Sequence, residues 1–140
     1  MIKGVIFDMD GVLVDSEEYI CKAAVLMFKR KGLTVKPEDF IPFIGKGENQ
    51  YIGGVADKYN FPVDINEVKA LTYSIYEEIA EGNLQALPGV YSFIEKAGKR
   101  GLKMALATST DKIKMEVNLR NIGLPEDTFA VTVNGLEVER

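Results

Sequence analysis

A short apolar run that ends in two carboxylates, close to the N-terminus, constrains the fold of this chain more than any other feature. Val5, Ile6 and Phe7 are β-forming residues with no polar residue between them. Such a run is typical of a strand buried on both faces of a parallel sheet. Asp8 and Asp10 follow at once, and ligands of open α/β sheets bind beyond the carboxyl ends of the strands. We therefore expect a functional site at these two acids.

The spacing of Asp8 and Asp10 brings two negative charges together unless a cation or a shared proton relieves their repulsion. A divalent hard cation takes oxygen ligands, and it suits this pair in combination with an anionic substrate such as a phosphate. The structural alternative is a solvated turn, because Asp and Gly11 are common turn formers.

The composition excludes several classes of protein. The chain has 140 residues, 46% of them hydrophobic, which suffices for one core with a small second lobe. The net charge of −4 gives no basic face for nucleic acid, and the absence of histidine excludes Ser-His-Asp catalysis and His-ligated zinc. One cysteine, Cys21, excludes an internal disulfide. Without a signal peptide or an apolar run that could span a membrane, we expect a cytoplasmic protein with no membrane partner.

The periodicity along the chain predicts an α/β fold with a helical insertion. Ser16 is a candidate N-cap, and no strand is indicated from there to Gly82. Beyond Leu84 the pattern predicts a helix, a buried strand over Lys103–Ala107, a second helix and a third strand over Thr128–Val133. This order fits a Rossmann-like parallel-sheet core interrupted by an all-helical block.

The segment Phe7-Asp8-Met9-Asp10-Gly11-Val12-Leu13-Val14-Asp15-Ser16 resembles the first signature of the haloacid dehalogenase superfamily. More narrowly, it is similar to the phosphatase and β-phosphoglucomutase branch with a helical cap. The resemblance implies a discontinuous Rossmann-like core over residues 1–15 and 84–140 and a helical cap over residues 16–83. The two crossings between them would act as hinges.

The resemblance also implies roles for individual residues. Asp8 would be the nucleophile that forms an aspartyl-phosphate, and Asp10 the general acid and base, with both residues holding Mg²⁺. Asp10 would face the metal through its backbone carbonyl. Thr108 and Ser109, after the second core strand, would bind the phosphoryl group, although the same residues are also typical of a helix N-cap.

In the helical block, Gly45 and Lys46 correspond to a substrate-specificity loop of the family, and a solvated loop lysine is the alternative interpretation. The resemblance implies a Mg²⁺-dependent phosphatase for a small phosphorylated metabolite such as a sugar phosphate. A phosphosugar mutase is the alternative. The absence of the cap histidine and of the specificity-loop arginine of the mutases weakens that alternative.

The C-terminus departs from the family pattern. A lysine signature and an acidic pair on a fourth strand are absent, and the sequence stops at Glu137-Val138-Glu139-Arg140, where the lysine signature would begin. We expect the C-terminal strands of the core to be missing and the first strand to be an exposed apolar edge. An inactive truncated chain or binding module is therefore a further alternative. The full-length form would be a monomer, and this form would self-associate.

Overall fold

The structure is a computed structural model that describes residues 1–137, so Val138, Glu139 and Arg140 of the C-terminal departure lie outside the described residues. Its first compact unit, Met1–Ser16 together with the chain from Gly82 onward, contains a parallel three-stranded sheet. The strands, in the order β1-β2-β3, are β1 (Gly4–Phe7), β2 (Lys103–Ala107) and β3 (Val131–Val133). The helices of this unit are α4 (Val90–Lys99), α5 (Lys112–Asn121) and a 3-10 turn (Glu126–Thr128). The predicted α/β core with a parallel sheet is confirmed.

The register of the sheet brings the carboxyl ends of its strands to one edge. Phe7 pairs with Leu106, and Leu106 pairs with Thr132. The ladder continues one residue past β2, where the amide of Thr108 donates to the carbonyl of Val133 at 2.9 Å. The loops that follow β1, β2 and β3 therefore begin side by side.

One face of the sheet is packed with aromatic rings. Phe7 is buried, and its ring makes edge-to-face contacts with Phe93 of α4 at 5.7 Å and with Phe129 at 5.9 Å between centroids. Such contacts add to the gain from burial. Leu106, beside Phe7 in the sheet, is fully buried. These contacts hold the ends of β1 and β2 in place.

The prediction that β1 is buried on both faces is wrong. Side chains alternate along a strand, and the row formed by Ile6, Ala105 and Val131 lies on the face opposite Phe7. Ile6 is 76% exposed and Val131 is 57% exposed, so this face is open in the described part of the chain. β1 is also an outermost strand of the sheet, as we expect for a core that lacks its C-terminal strands. An apolar run indicates a strand, but it does not show how many elements cover it.

The third strand is shorter than predicted, because Thr128 does not belong to it. The amide of Thr128 donates to the carbonyl of Pro125 at 3.0 Å and closes the 3-10 turn instead of joining the ladder. The strand begins three residues later, at Val131.

The second compact unit, Glu17–Glu81, is helical in all its regular elements. Its elements are α1 (Glu17–Arg30), a 3-10 helix (Pro37–Phe43), α2 (Glu48–Lys58) and α3 (Ile65–Ala80). The Asp64 carboxylate caps α3 by accepting from the amides of Asn66 and Glu67. Phe28 and Tyr76 are among the largest fully buried side chains of this unit. The all-helical block predicted between the strands is therefore present.

A buried carboxylate joins two elements of the helical unit. Asp39, in the 3-10 helix, accepts hydrogen bonds from Lys58 Nζ at 2.5 Å, from the Tyr59 hydroxyl and from the Lys36 amide at 2.8 Å. These donors, Lys58 first, lower the pKa of the Asp39 carboxyl to about 2. Hydrogen bonds to the charged form are the dominant cause, and they outweigh the opposing effect of burial.

The helices between residues 1 and 137 include none that is both long enough and apolar enough to cross a bilayer.

Candidate active site

A tight loop after β1 presents the two acids. The carbonyl of Met9 accepts from the amides of Leu13 at 2.9 Å and Val14 at 3.2 Å, and the Gly11 amide donates back to the Val14 carbonyl at 2.7 Å. Gly11 has a φ of 77°, which disfavours residues with a side chain. The loop folds back on itself, with Met9 buried beneath it and Asp8 directed outward as an exposed residue.

Asp8 has one carboxylate oxygen engaged and one available. Oδ1 accepts from the amide of Met9 at 2.7 Å, and the residues from 1 to 137 supply no hydrogen-bond donor to Oδ2. The hydrogen bond to Oδ1 orients the carboxylate, and Oδ2 has no donor of its own. An exposed oxygen of this kind can attack an electrophile or bind a cation.

Asp10 is held in place from three directions. Its Oδ1 accepts from the hydroxyl of Ser16, and its Oδ2 accepts from the hydroxyl of Thr110 at 2.9 Å. The Lys114 ammonium, at 3.4 Å from Oδ2, is the third donor. The side chain of Asp10 is 37% exposed, so it is fixed by the protein and still accessible. Its contacts join the loop after β1 to the loop after β2 and to α5.

The loop after β2 carries the hydroxyl groups that the sequence indicates. Thr108 is buried and its hydroxyl accepts from the Thr110 amide at 3.1 Å, while Ser109 is exposed. Asp111 is the N-cap residue of α5 by backbone position, with no hydrogen bond from its side chain to the helix amides. The start of α5 therefore lies next to the loop, and the amides of a helix N-terminus favour anions.

The segment after β3 supports this loop from behind. Gly135 donates its amide to the Thr110 carbonyl at 2.7 Å. A Cβ at Gly135 would lie 2.2 Å from the Ser109 carbonyl oxygen, so the two backbones meet only because residue 135 lacks a side chain. This close approach fixes the position of the Ser109 and Thr110 backbone relative to the segment after β3.

The predicted residues divide between the two compact units. Asp8, Asp10, Thr108 and Ser109 all follow strands β1 and β2 at the same sheet edge. Gly45 and Lys46 lie in the helical unit, between the 3-10 helix and α2, where both are exposed. The roles assigned to all six residues stay predictions.

Sequence reasoning missed Thr110 and Lys114. The local pattern does not indicate Thr110 as a site residue, because its hydroxyl contacts an acid a hundred positions earlier. Lys114 carried a weak signal, because lysine is an unfavourable residue in the first turn of a helix.

The residues at this edge fit a magnesium ion that keeps much of its water. In the described part of the chain there is no cluster of three or more acidic, histidine or cysteine side chains that could hold a metal. Mg²⁺ needs no such cluster, because it is commonly bound by one or two carboxylates together with waters and substrate phosphate. The open Oδ2 of Asp8 offers a carboxylate ligand. The carboxylate oxygens of Asp10 are engaged by protein donors, which leaves its backbone carbonyl for the ion.

Comparison with known proteins finds relatives whose similarity extends over almost the whole of this chain. The chain is 37% identical over 136 residues to Protein SUPPRESSOR OF QUENCHING 1, chloroplastic, from Arabidopsis thaliana, with 95% of this chain and 13% of that protein covered. It is 27% identical over 138 residues to a phosphorylated carbohydrates phosphatase from Thermotoga maritima, with 99% of this chain and 63% of that protein covered.

A solved structure shows the same fold. The chain superposes on CbbY from Rhodobacter sphaeroides with a TM-score of 0.88 and 24% sequence identity, covering 100% of this chain and 66% of that one. The chain therefore spans about two thirds or less of the length of each of these proteins. The model of the family described as haloacid dehalogenase-like hydrolase matches residues 5–140. The chain belongs to the haloacid dehalogenase-like hydrolase family.

Proposed function

We propose that this chain carries the catalytic residues of a Mg²⁺-dependent phosphatase that hydrolyses the phosphoric monoester of a small metabolite such as a sugar phosphate. The observation that carries the proposal is the contact between Asp10 Oδ2 and Thr110 Oγ1, at 2.9 Å, which unites the loops after β1 and β2 in one site. Relatives of the chain include a phosphatase of phosphorylated carbohydrates, which supports the reaction and the substrate class.

The first step transfers the phosphoryl group to Asp8. Its carboxylate oxygen attacks phosphorus, a new O–P bond forms, and the ester P–O bond breaks. The leaving alkoxide takes a proton from the Asp10 carboxyl, which is left as a carboxylate. The exposed position of Asp8 and the fixed but accessible position of Asp10 suit these two roles.

The second step returns the enzyme to its starting state. A water molecule gives a proton to the Asp10 carboxylate while its oxygen attacks the phosphorus of the aspartyl-phosphate. The bond between phosphorus and Asp8 breaks, which releases inorganic phosphate and restores the Asp8 carboxylate. One residue thus acts as acid in the first step and as base in the second.

The remaining groups at the sheet edge hold the anion. The hydroxyls of Thr108 and Ser109, together with the backbone amides at the start of α5, would bind the phosphoryl oxygens, and the Thr108 hydroxyl also accepts from the Thr110 amide. Asp8 and the backbone carbonyl of Asp10 would hold Mg²⁺, whose positive charge would let the carboxylate and the phosphate approach each other.

Substrate selection would fall to the helical unit as a cap, with Gly45 and Lys46 in contact with the rest of the metabolite. A phosphosugar mutase shares the aspartyl-phosphate step, and it differs in that a second sugar hydroxyl, not water, accepts the phosphoryl group. A chain without histidine lacks the cap histidine of the mutases, which favours hydrolysis.

The open sheet face favours a second candidate for this length of chain, a non-catalytic module that self-associates. Ile6 and Val131 are large apolar side chains on one exposed face. Exposed apolar surface next to an unpaired strand edge promotes association. Sedimentation of the purified chain distinguishes an active monomer from this alternative.

The test of the proposed function is release of inorganic phosphate from sugar phosphates by the chain in the presence of Mg²⁺. Asp8→Asn removes the nucleophile and is expected to abolish release. Asp127→Asn, at an exposed acid of the same unit, makes the same chemical change away from the site and should leave release unchanged. Equal activity of the wild-type chain and Asp8→Asn would refute the mechanism, and an inactive wild-type chain would favour the non-catalytic module.

A further inference from the structure

Lys114 is a buried cation in an unfavourable place. Its side chain is 3% exposed, and it lies in the first turn of α5, three residues after the N-cap Asp111. Burial of a lysine is costly unless the charge is compensated, and the first turn of a helix favours acidic residues. A lysine in this position needs an anion to stabilise it.

Asp10 supplies that anion. Lys114 Nζ lies 3.4 Å from Oδ2 of Asp10, and Thr110 donates to the same oxygen at 2.9 Å. Each carboxylate oxygen can accept about two hydrogen bonds. Oδ2 is therefore filled by two protein donors, whereas Oδ1 accepts from Ser16 and keeps one acceptor position.

We propose that Lys114 is a positioning residue for proton transfer, which fixes the Asp10 carboxylate so that Oδ1 is the oxygen that gives and takes the catalytic proton. The inference rests on the proposed function, because it assigns a role to the general acid of that reaction. Lys114 does not touch the substrate in this scheme. It acts through Asp10, by occupying Oδ2 and preventing the carboxylate from turning.

The choice of leaving group tests this role. An alkyl phosphate such as glycerol phosphate needs a proton on its leaving oxygen, whereas para-nitrophenyl phosphate releases a stable anion without one. Lys114→Met is therefore expected to lower kcat/KM for glycerol phosphate by about 10- to 100-fold, because a misplaced general acid loses much of its effect. With para-nitrophenyl phosphate, kcat/KM should fall by less than about threefold. The ratio kcat/KM is the quantity to compare, because hydrolysis of the aspartyl-phosphate also uses Asp10 and contributes to kcat for both substrates.

Lys99→Met is the matched control. Lys99 is in α4 of the same compact unit, its side chain is 73% exposed, and it pairs with Glu95 at 2.9 Å on the surface. The substitution removes the same charge without touching Asp10, so both substrates should be turned over at the wild-type rate.

The kinetic outcomes separate this inference from the proposed function. An equal fall in kcat/KM for both substrates in Lys114→Met would show that Lys114 acts on the phosphoryl group or on folding, and would overturn the positioning role. An unchanged kcat/KM for glycerol phosphate would overturn it as well. Activity that survives in Asp8→Asn would refute the proposed function itself.

Two further experiments test the inference if the wild-type chain shows no turnover or if Lys114→Met does not fold. Crystal structures of the wild-type chain and Lys114→Met should differ in the orientation of the Asp10 carboxylate, with the 2.9 Å contact to Thr110 lost in the variant. An unchanged Asp10 would overturn the inference. If circular dichroism shows that Lys114→Met does not fold, Lys114→Arg keeps the buried charge but changes its shape, and the same selective loss is expected.

Discussion

Substitution of Gly135 by alanine tests whether the loop after β2 is held by the segment after β3. The added Cβ would lie 2.2 Å from the Ser109 carbonyl oxygen and 2.9 Å from its carbonyl carbon. Both are backbone atoms, so no side chain can rotate away and the two segments must separate. Separation also weakens the 2.7 Å hydrogen bond from the Gly135 amide to the Thr110 carbonyl.

The expected cost follows from these two effects. Overpacking of a well-filled site costs about 1 to 3 kcal/mol, and a lost hydrogen bond costs about 1 kcal/mol more. We therefore expect Gly135→Ala to lower the free energy of unfolding by about 2 to 4 kcal/mol, a large share of the stability of a small domain.

Urea denaturation followed by circular dichroism measures this change. Gly98→Ala is the control, because Gly98 lies in α4 and, apart from its chain neighbours and the backbone of its own helix, nothing lies within 4 Å of its added Cβ. Removal of a helix glycine should leave stability unchanged or raise it by up to about 1 kcal/mol. A Gly135→Ala chain within about 0.5 kcal/mol of the wild-type chain would refute the close approach described for this loop.

The remaining predictions concern the helical unit. Gly53→Ala should stabilise α2 by up to about 1 kcal/mol in urea denaturation, whereas Gly54→Ala should be less stable than Gly53→Ala by about 1 to 3 kcal/mol, because its Cβ would lie 2.3 Å from the ring of Phe43. Equal stabilities would contradict that contact. The lowered pKa of Asp39 implies that its ion pair with Lys58 contributes stability above the ordinary carboxyl pKa of 3.8 and loses it as pH falls towards about 2. Acid titration should therefore destabilise the wild-type chain more than Asp39→Asn over this interval, and parallel curves would contradict the prediction.

Much of the fold could be predicted because its local signals are strong. The strand over Lys103–Ala107 was predicted with its observed bounds, since polar residues flank a short apolar run. The cap at Asp64 is a local feature of the same kind, because it depends on residues close together in sequence. The exposure of one face of β1 could not be predicted, since the exposure of Ile6 depends on which elements pack over the sheet.

The site could be predicted in part for the same reason. Asp8 and Asp10 follow a recognisable strand, and their position at a strand end has a physical meaning without any long-range information. The contacts of Asp10 with Thr110 and Lys114 link residues about a hundred positions apart. The register between β1 and β2 creates these contacts, and local patterns in the sequence do not reveal that register.

The position of β1 at the sheet edge has a consequence for its local stability. Among the strands that the structure describes, β2 is bonded to a strand on each side, whereas β1 is bonded to one strand. Backbone amides of β1 that face away from β2 should exchange their hydrogens with heavy water faster than those in the middle of the sheet. The strand that presents Asp8 would then open more readily than the strand that presents Thr108, and mass spectrometry of deuterium uptake would detect this difference between the two halves of the site.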